Sequence, residues 1–371
     1  MAMSDVLSTT VLCSDCSERR HDLEGTGHHV VDCREDPTLP GYCVLRYTLP
    51  SAPRDAAVPT LAATQAQAAK AIVNIFETGA VRGDYGQVTL LPGDTGRLSY
   101  GRSQATLGSG NLNLLVQRYC GTVGARFGAR LRAWLPALAA RSPAADGDVK
   151  LQNLLRACAD DPVMRDVQDA FFDEGYWAPA LRAATSMGIR SPLGIAVVYD
   201  SWVHGSWALL RDRINANGAL QQLGEHEWIQ RYVRARRDWL ATNPNPLLRN
   251  AVYRMDAFQH LIAQDDWGLP LPLVVRGEEI SPAALAALPP GSYDGPQPGA
   301  RPLAVQAPLL RGLDVRLVQL ALSDQGCDVR ADGIFGNATA RFIRAFQRTS
   351  DLPETGVADA SLIHRLIAMD A

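Results

Sequence analysis

The sequence has little of what would commit a chain to a membrane or to nucleic acid. Its formal net charge is only -3 over 371 residues, which gives no bulk electrostatic basis for a nucleic-acid partner. No apolar run is long enough to cross a bilayer, so stable membrane insertion is not expected. The amino end, MAMSDVLSTTVLCSDCSERRHD, lacks a basic start followed by a sustained apolar run and does not read as a secretory signal. Synthesis in the cytoplasm is therefore the expectation, with a separate route to any target outside the membrane. Seven cysteines are too few for a disulfide-dense scaffold.

Those cysteines are unevenly placed. Cys13, Cys16, Cys33 and Cys43 crowd the first 55 residues, among β-prone pieces at Ser8 to Leu12, His29 to Asp32 and Tyr42 to Tyr47. The Cys13-Ser-Asp-Cys16 spacing suits a structural zinc held by the four thiolates, with His21, His28 or His29 as substitutes. Reduced cysteines or disulfides are the alternative. The module could serve in targeting. The Pro/Ala-rich stretch that follows reads as a linker, placed at 56–65.

From residue 66 to 277 the pattern is strongly helical. Ala68, Ile72, Ile75 and Phe76 give one apolar face that stops near Gly79, and further helices are expected around 112–119, 128–139, 150–159, 162–186, 192–213, 222–241 and 247–262. Residues 81–104 break the helical period and suit a short hairpin or ordered loop. A second linker, rich in Pro, Gly and Ala, spans 278–302, and a compact helical unit fills 303–371. Its expected core is Leu309, Leu313, Val318, Leu320, Leu322, Phe335, Ala340, Phe342, Phe346, Leu362 and Leu366.

The chemistry centres on two acids. Glu77 closes the first apolar helix beside Phe76, where partial withdrawal from water suits a carboxyl to proton donation. Asp94 sits in a polar Gly/Pro loop near Arg97, a setting that suits a carboxylate acting on water. Glycosidic hydrolysis needs such a division between acid and base. Ser99 could hold the water; Arg97 and Arg102 could bind hydroxyls, and Tyr85 and Tyr100 could offer stacking faces. Asp173 and Glu174 could meet a cationic sugar, and Asp200 is a further candidate for substrate binding. Asp200 and His204, four apart on a helix, fit a hydrogen-bonded structural pair better than a metal site, and Arg190, Asp200 and Arg211 could form a buried charged network. An Asp-Thr-Gly sequence is also ordinary turn chemistry.

The segment around these residues resembles the catalytic region of chitosanases of glycoside hydrolase family 46, in the lysozyme-like superfamily. That resemblance implies Glu77 as general acid, Asp94 as general base and Ser99 in the place of a water-positioning hydroxyl. The stretch VQDAFFDEGYWAPALRAATSMGIRSPLGIAVVYDSWVHGS resembles the family's helical lobe, with Tyr199-Asp200 and His204-Gly205 at its paired positions; RYVRARRDWL and LLRNAVYRMDAFQHLI resemble the helices that follow. The implied fold is mainly α with a small β-containing lobe, two-lobed and lysozyme-like, and the implied course is inverting, with carboxyls about 6.5 to 9.5 Å apart. Residues Leu309 to Asp359 resemble the three-helix peptidoglycan-binding domain of cell-wall hydrolases, through Gly312, the Asp332-Gly-Ile-Phe-Gly336 loop and the helix at Thr339 to Gln347.

That tail, with the mixed charge of the 77–102 loop, shifts the expected substrate to peptidoglycan, cleaved at β-1,4 bonds in muramidase-like fashion without a catalytic cofactor. Chitosan hydrolysis is the alternative, and a non-catalytic wall-binding protein is a third reading. Glycan chains are the expected partners, together with delivery machinery or an immunity protein. The expected place of action is the periplasm or cell wall, reached by lysis-associated release, as for a phage endolysin, or by specialised secretion of an antibacterial effector.

Overall fold

A computed structural model describes residues 6–13, 16–25, 29–35, 42–48, 61–91 and 96–368. The chain is mainly helical, with small sheets, and forms two compact units: Met1–Gly83 with Ala170–Ala287, and Asp84–Asp169 with Leu288–Ala371. The segment expected as one catalytic block is thus divided between the units. Of the linker expected at 56–65, residues 56–60 lie outside the described residues and 63–65 already belong to a helix.

The first unit opens with a three-stranded antiparallel sheet in which Tyr42–Thr48 is central between Val6–Leu12 and His29–Glu35. Helix Cys16–Gly25 packs on this sheet and on helix Trp207–Asn215. The cysteines form two disulfides, Cys13 to Cys43 and Cys16 to Cys33. This corrects the expectation of a zinc site: the antiparallel register sets Val11 opposite Cys43, so neighbouring Cys13 comes within 5.0 Å of Cys43 between Cα atoms. The sulfurs are consumed in pairs, and the described residues contain no cluster of three or more metal-ligating side chains.

Helix Ala63–Thr78 forms because alanines and apolar residues recur along it, burying Ala68, Ala69, Ile72, Val73, Ile75 and Phe76. Gln65 Oε1 accepts from Ala62 N at its start, and Gly79, at φ 73°, supplies the left-handed residue that ends it. It packs against Pro192–His204. That helix starts on a Ser191 cap with Pro192 in its first turn and buries ten consecutive residues from Leu193 to Trp202. Trp207, Trp228, Tyr232 and Phe258 complete a core shared by Glu225–Ala241 and Val252–Ala263. The unit ends in a hairpin, Leu273–Val275 with Glu278–Ile280, and helix Pro282–Ala286, where a linker was expected.

The second unit holds a small sheet of Val88–Thr89, Ser99–Tyr100 and Ala105–Thr106, followed by helices that include Asn111–Gly121 and Val149–Cys158. Its carboxyl-terminal part is the three-helix set Leu313–Asp324, Asn337–Thr349 and Ala360–Ala368 around a core of Val318, Leu322, Phe335, Ala340, Phe346, Leu362 and Leu366. Phe335 is fully buried as a wedge, whereas Leu309 is 43% exposed and lies outside that core.

The helix Leu313–Asp324 lies against Val149–Cys158, so this tail is seated on the 84–169 segment. Asn153 reaches the Ser323 hydroxyl at 3.0 Å and the Val329 carbonyl at 2.7 Å, and accepts from Ala331 N at 3.0 Å. Arg316, nearly buried, donates to the Arg156 carbonyl at 2.6 Å and lies 3.1 Å from Asp160, whose carboxylate also accepts from Tyr293 N at 2.8 Å. Burial pushes the Asp160 carboxyl up to about 6, against the pull of Arg316.

Candidate active site

Glu77 lies in the last turn of helix Ala63–Thr78 with its side chain 41% exposed. The apolar stripe of that helix seats the backbone, and an arginine grips the carboxylate: Arg254 Nη2 donates to Glu77 Oε1 at 2.5 Å. The other arm of Arg254 donates to Asp200 Oδ1 at 2.7 Å, and the second oxygen of Asp200 accepts from Arg236. Asp200 and Arg236 are fully buried, and Arg254 nearly so. The result is a chain of alternating charge, Glu77, Arg254, Asp200, Arg236, running from a half-open carboxylate into the core.

Burial alone would push the Asp200 carboxyl up, but the guanidiniums of Arg254 and Arg236 outweigh it and hold the group below its ordinary value. Burial likewise opposes charge on Arg254, yet the carboxylates of Asp200 and Glu77 outweigh it and hold the guanidinium above its ordinary value. His204 Nδ1 lies 3.3 Å from Arg236 Nη2. Burial, with the cations of Arg236 and Arg254 behind it, lowers His204 to about 3, so the ring is neutral and serves as a partner for Arg236.

The buried network expected from sequence exists, with different arginines. Arg190 donates to the Thr185 carbonyl, and Arg211 pairs with Asp212. Arg236 and Arg254 lie within the expected helices 222–241 and 247–262 and are not among the expected site residues. A signal for each was present: Arg236 occupies the buried stripe of Ile229, Tyr232, Val233 and Leu240, and Arg254 shares one with Met255, Phe258 and Leu261. A charge on an apolar stripe needs an internal partner, and Asp200, inside an almost wholly apolar helix, is the matching signal.

Asp94, with residues 92–95, lies outside the described residues. The arm returning from it is anchored within the second unit. Arg97, at φ 60°, donates through Nε and Nη2 to Asp146 Oδ2 at 2.9 and 2.7 Å and through Nη1 to the Arg141 carbonyl, while Leu98 N donates to Asp146 Oδ1. Ser99 is 4% exposed and its hydroxyl donates to the Arg97 carbonyl at 3.3 Å. Arg102 pairs with Asp169, which also accepts from the Tyr85 hydroxyl at 2.6 Å. Gly101 is required here: at φ 79°, a Cβ would fall 2.2 Å from the Gln168 side-chain oxygen.

These placements revise several expected contacts. Tyr85 and Tyr100 are buried and present no open ring to a sugar, while Arg97 and Arg102 are committed to carboxylates that tie down the loop. Asp200 holds Arg254 and cannot reach solvent. Asp173 pairs with Lys70, which lies 5.0 Å from the Trp177 ring centroid; Glu174, its neighbour in the π-turn Asp173–Trp177, is exposed.

The profile of glycosyl hydrolase family 46 matches residues 71–273, and that of a putative peptidoglycan binding domain matches residues 311–366. A chitosanase of Bacillus subtilis (strain 168) is 26% identical over 234 residues, covering 58% of this chain and 83% of the relative. The solved native chitosanase of Bacillus subtilis MY002 aligns at 26% identity and a TM-score of 0.48, over 58% of this chain and 96% of its own. A family 46 chitosanase of Gynuella sunshinyii, solved with chitotetraose, aligns at 25% identity and a TM-score of 0.48, over 60% and 98%. The family match and the curated chitosanase overturn the expectation of muramidase-like cleavage of peptidoglycan. The tail, which with the mixed charge of the 77–102 loop suggested it, has its own match outside the catalytic segment. The chain is a glycoside hydrolase with a peptidoglycan-binding-like auxiliary domain, and it belongs to glycosyl hydrolase family 46.

Proposed function

We propose that this chain hydrolyses the β-1,4 bonds of chitosan, with Glu77 protonating the leaving oxygen and Asp94 activating water, so that the anomeric configuration inverts. The observation that carries the reading is the family match over residues 71–273, inside which Glu77 stands half-open at a helix end, held by Arg254. Arg254 orients the carboxyl; Asp200, itself fixed by Arg236, holds Arg254 by a buried ion pair that leaves it little freedom. Hydrolysis adds one water across the bond: its hydroxyl goes to the anomeric carbon, one proton goes to the leaving oxygen from Glu77, and another goes to Asp94. We assign catalysis to residues 66–277 and glycan attachment to 303–371, the latter raising the local concentration of substrate.

We assign the site of action to an oxidising setting such as the periplasm or cell wall, reached by lysis-associated release or specialised secretion, because disulfides such as Cys13 to Cys43 and Cys16 to Cys33 persist there. Digestion of chitosan with the purified chain, with products identified by mass spectrometry and the new anomer followed by proton NMR, tests the activity. Glucosamine oligomers released first as the α-anomer are the expected result. Intact polymer with folded protein would overturn it, and β-anomers would overturn inversion alone.

A further inference from the structure

A second grip on the acid helix lies beside Arg254. Gly79 N donates to the Ile75 carbonyl at 2.9 Å and closes the regular bonding of helix Ala63–Thr78. The next carbonyl, Phe76 O, immediately precedes Glu77 and belongs to the group that a helix end leaves without an internal donor. The Tyr253 hydroxyl supplies one, at 2.8 Å. The Tyr253 ring also meets the Phe76 ring edge-on, with centroids 6.0 Å apart. Adjacent residues of one helix therefore hold the same end of another: Tyr253 takes the backbone before the acid, and Arg254 takes the acid's own carboxylate.

Tyr253 is itself backed by a third element. The Arg276 guanidinium lies 3.8 Å from the Tyr253 ring centroid. Arg276 and Gly277, at φ 54° and 89°, form the two-residue turn of the hairpin Leu273–Val275 and Glu278–Ile280. Leu273, Val275 and Ile280 are buried, so the hairpin is rooted in the core although Arg276 is exposed. A planar guanidinium on an aromatic face is a favourable contact that an ammonium reproduces poorly. Arg276 falls outside the family match, which ends at residue 273 and includes Tyr253.

We propose that Arg276 and Tyr253 form a positioning clamp for the general acid: the hairpin tip holds the tyrosine ring, and the tyrosine hydroxyl holds the helix end that carries Glu77. The clamp rests on the assignment of Glu77 as the acid. Both residues act through Glu77, so disturbing them alters the placement of the transferring proton more than the binding of the glycan.

The test compares the full-length chain with Tyr253→Phe, Arg276→Ala, the double variant and Glu77→Gln, measuring kcat and KM on chitosan oligomers and the thermal midpoint of each. Loss of one well-placed hydrogen bond in Tyr253→Phe should lower kcat about ten-fold, with KM within about two-fold of the parent. Arg276→Ala should lower kcat in the same way but less, and the double variant should match Tyr253→Phe, because the two residues act in series. Unchanged kcat in both folded single variants overturns the clamp, as does a rise in KM alone or a double variant whose losses multiply. Glu77→Gln separates the two claims. Near-normal turnover there means the acid assignment has failed and the clamp with it; lost turnover there beside normal Tyr253→Phe and Arg276→Ala overturns the clamp only.

Discussion

Arg254 bridges Glu77 and Asp200, donating to the first at 2.5 Å and to the second at 2.7 Å. A single guanidinium thus ties the half-open carboxylate to a fully buried one, and the fork geometry of arginine is what makes two simultaneous bonds possible. Arg254→Lys keeps the charge and loses the fork. Turnover on chitosan should fall about 100-fold, the scale associated with misplacing a catalytic group by an ångström, while the fold persists by circular dichroism. Turnover within about two- to three-fold of the parent would show that Glu77 is oriented by something else.

His204 makes stability depend on pH. Its folded value, about 3, is depressed below the ordinary 6.5, so the unfolded chain binds the proton first. The stabilisation is full above about pH 6.5 and is lost as pH falls toward the folded value. Between pH 6.5 and 5 the loss from this one group should be about 2 kcal/mol. Urea unfolding of the parent and His204→Gln across that range checks it: the substitution should flatten the slope, and parallel slopes would contradict the assignment.

Asn153 makes a separate prediction for the second unit. Its amide is fully buried and satisfies Ser323, Val329 and Ala331. Asn153→Ala would leave those groups without that partner, at a cost of about 1–3 kcal/mol for a buried polar group left unmatched. Chemical denaturation should show the 84–169 segment and the tail losing stability together, in one transition. Two transitions, with only one shifted, would mean that the tail folds independently of its seat.

The amino-terminal module should respond to reductant and ignore chelators. Its disulfides close loops with sequence separations of 30 and 17, and each cross-link of that size is worth about 3 kcal/mol in the chain-entropy account. Limited proteolysis after dithiothreitol should cut within the first 50 residues and spare the catalytic segment, whereas EDTA should change nothing. Protection that EDTA abolishes would restore the zinc reading.

Much of the fold was legible because its signals are local. The stripe of Ala68, Ile72, Ile75 and Phe76 and the left-handed Gly79 mark the acid helix from end to end, and the strands of the first module appear where β-prone residues cluster. Expected helices are too long where the chain turns without a strong breaker: 192–213 is two helices, parted at Gly205 and Ser206, the latter at φ 73°. The cysteine pairing was not legible, since it depends on a sheet register that spacing does not encode. Nor was the division of the chain. The stretch expected to be a loose linker includes Tyr293, whose amide binds Asp160, and the tail meets the 84–169 segment through Arg316 and Asn153, polar residues with no sequence mark of a shared interface. At the site, Glu77 stood out by its place at the end of an apolar stripe. Its partners lie far along the chain, and only the misfit of Arg236, Arg254 and Asp200 with their apolar surroundings pointed to them.

The central claim is chitosan hydrolysis with Glu77 as the acid. Its most direct test is the release of glucosamine oligomers from chitosan, followed by mass spectrometry for the parent and for Glu77→Gln at matched concentrations of folded protein. The account predicts steady oligomer release by the parent and a rate lower by about 10²–10⁴-fold in the variant, the range for losing a general acid. No oligomers from the parent, or equal release by the two proteins, would contradict it.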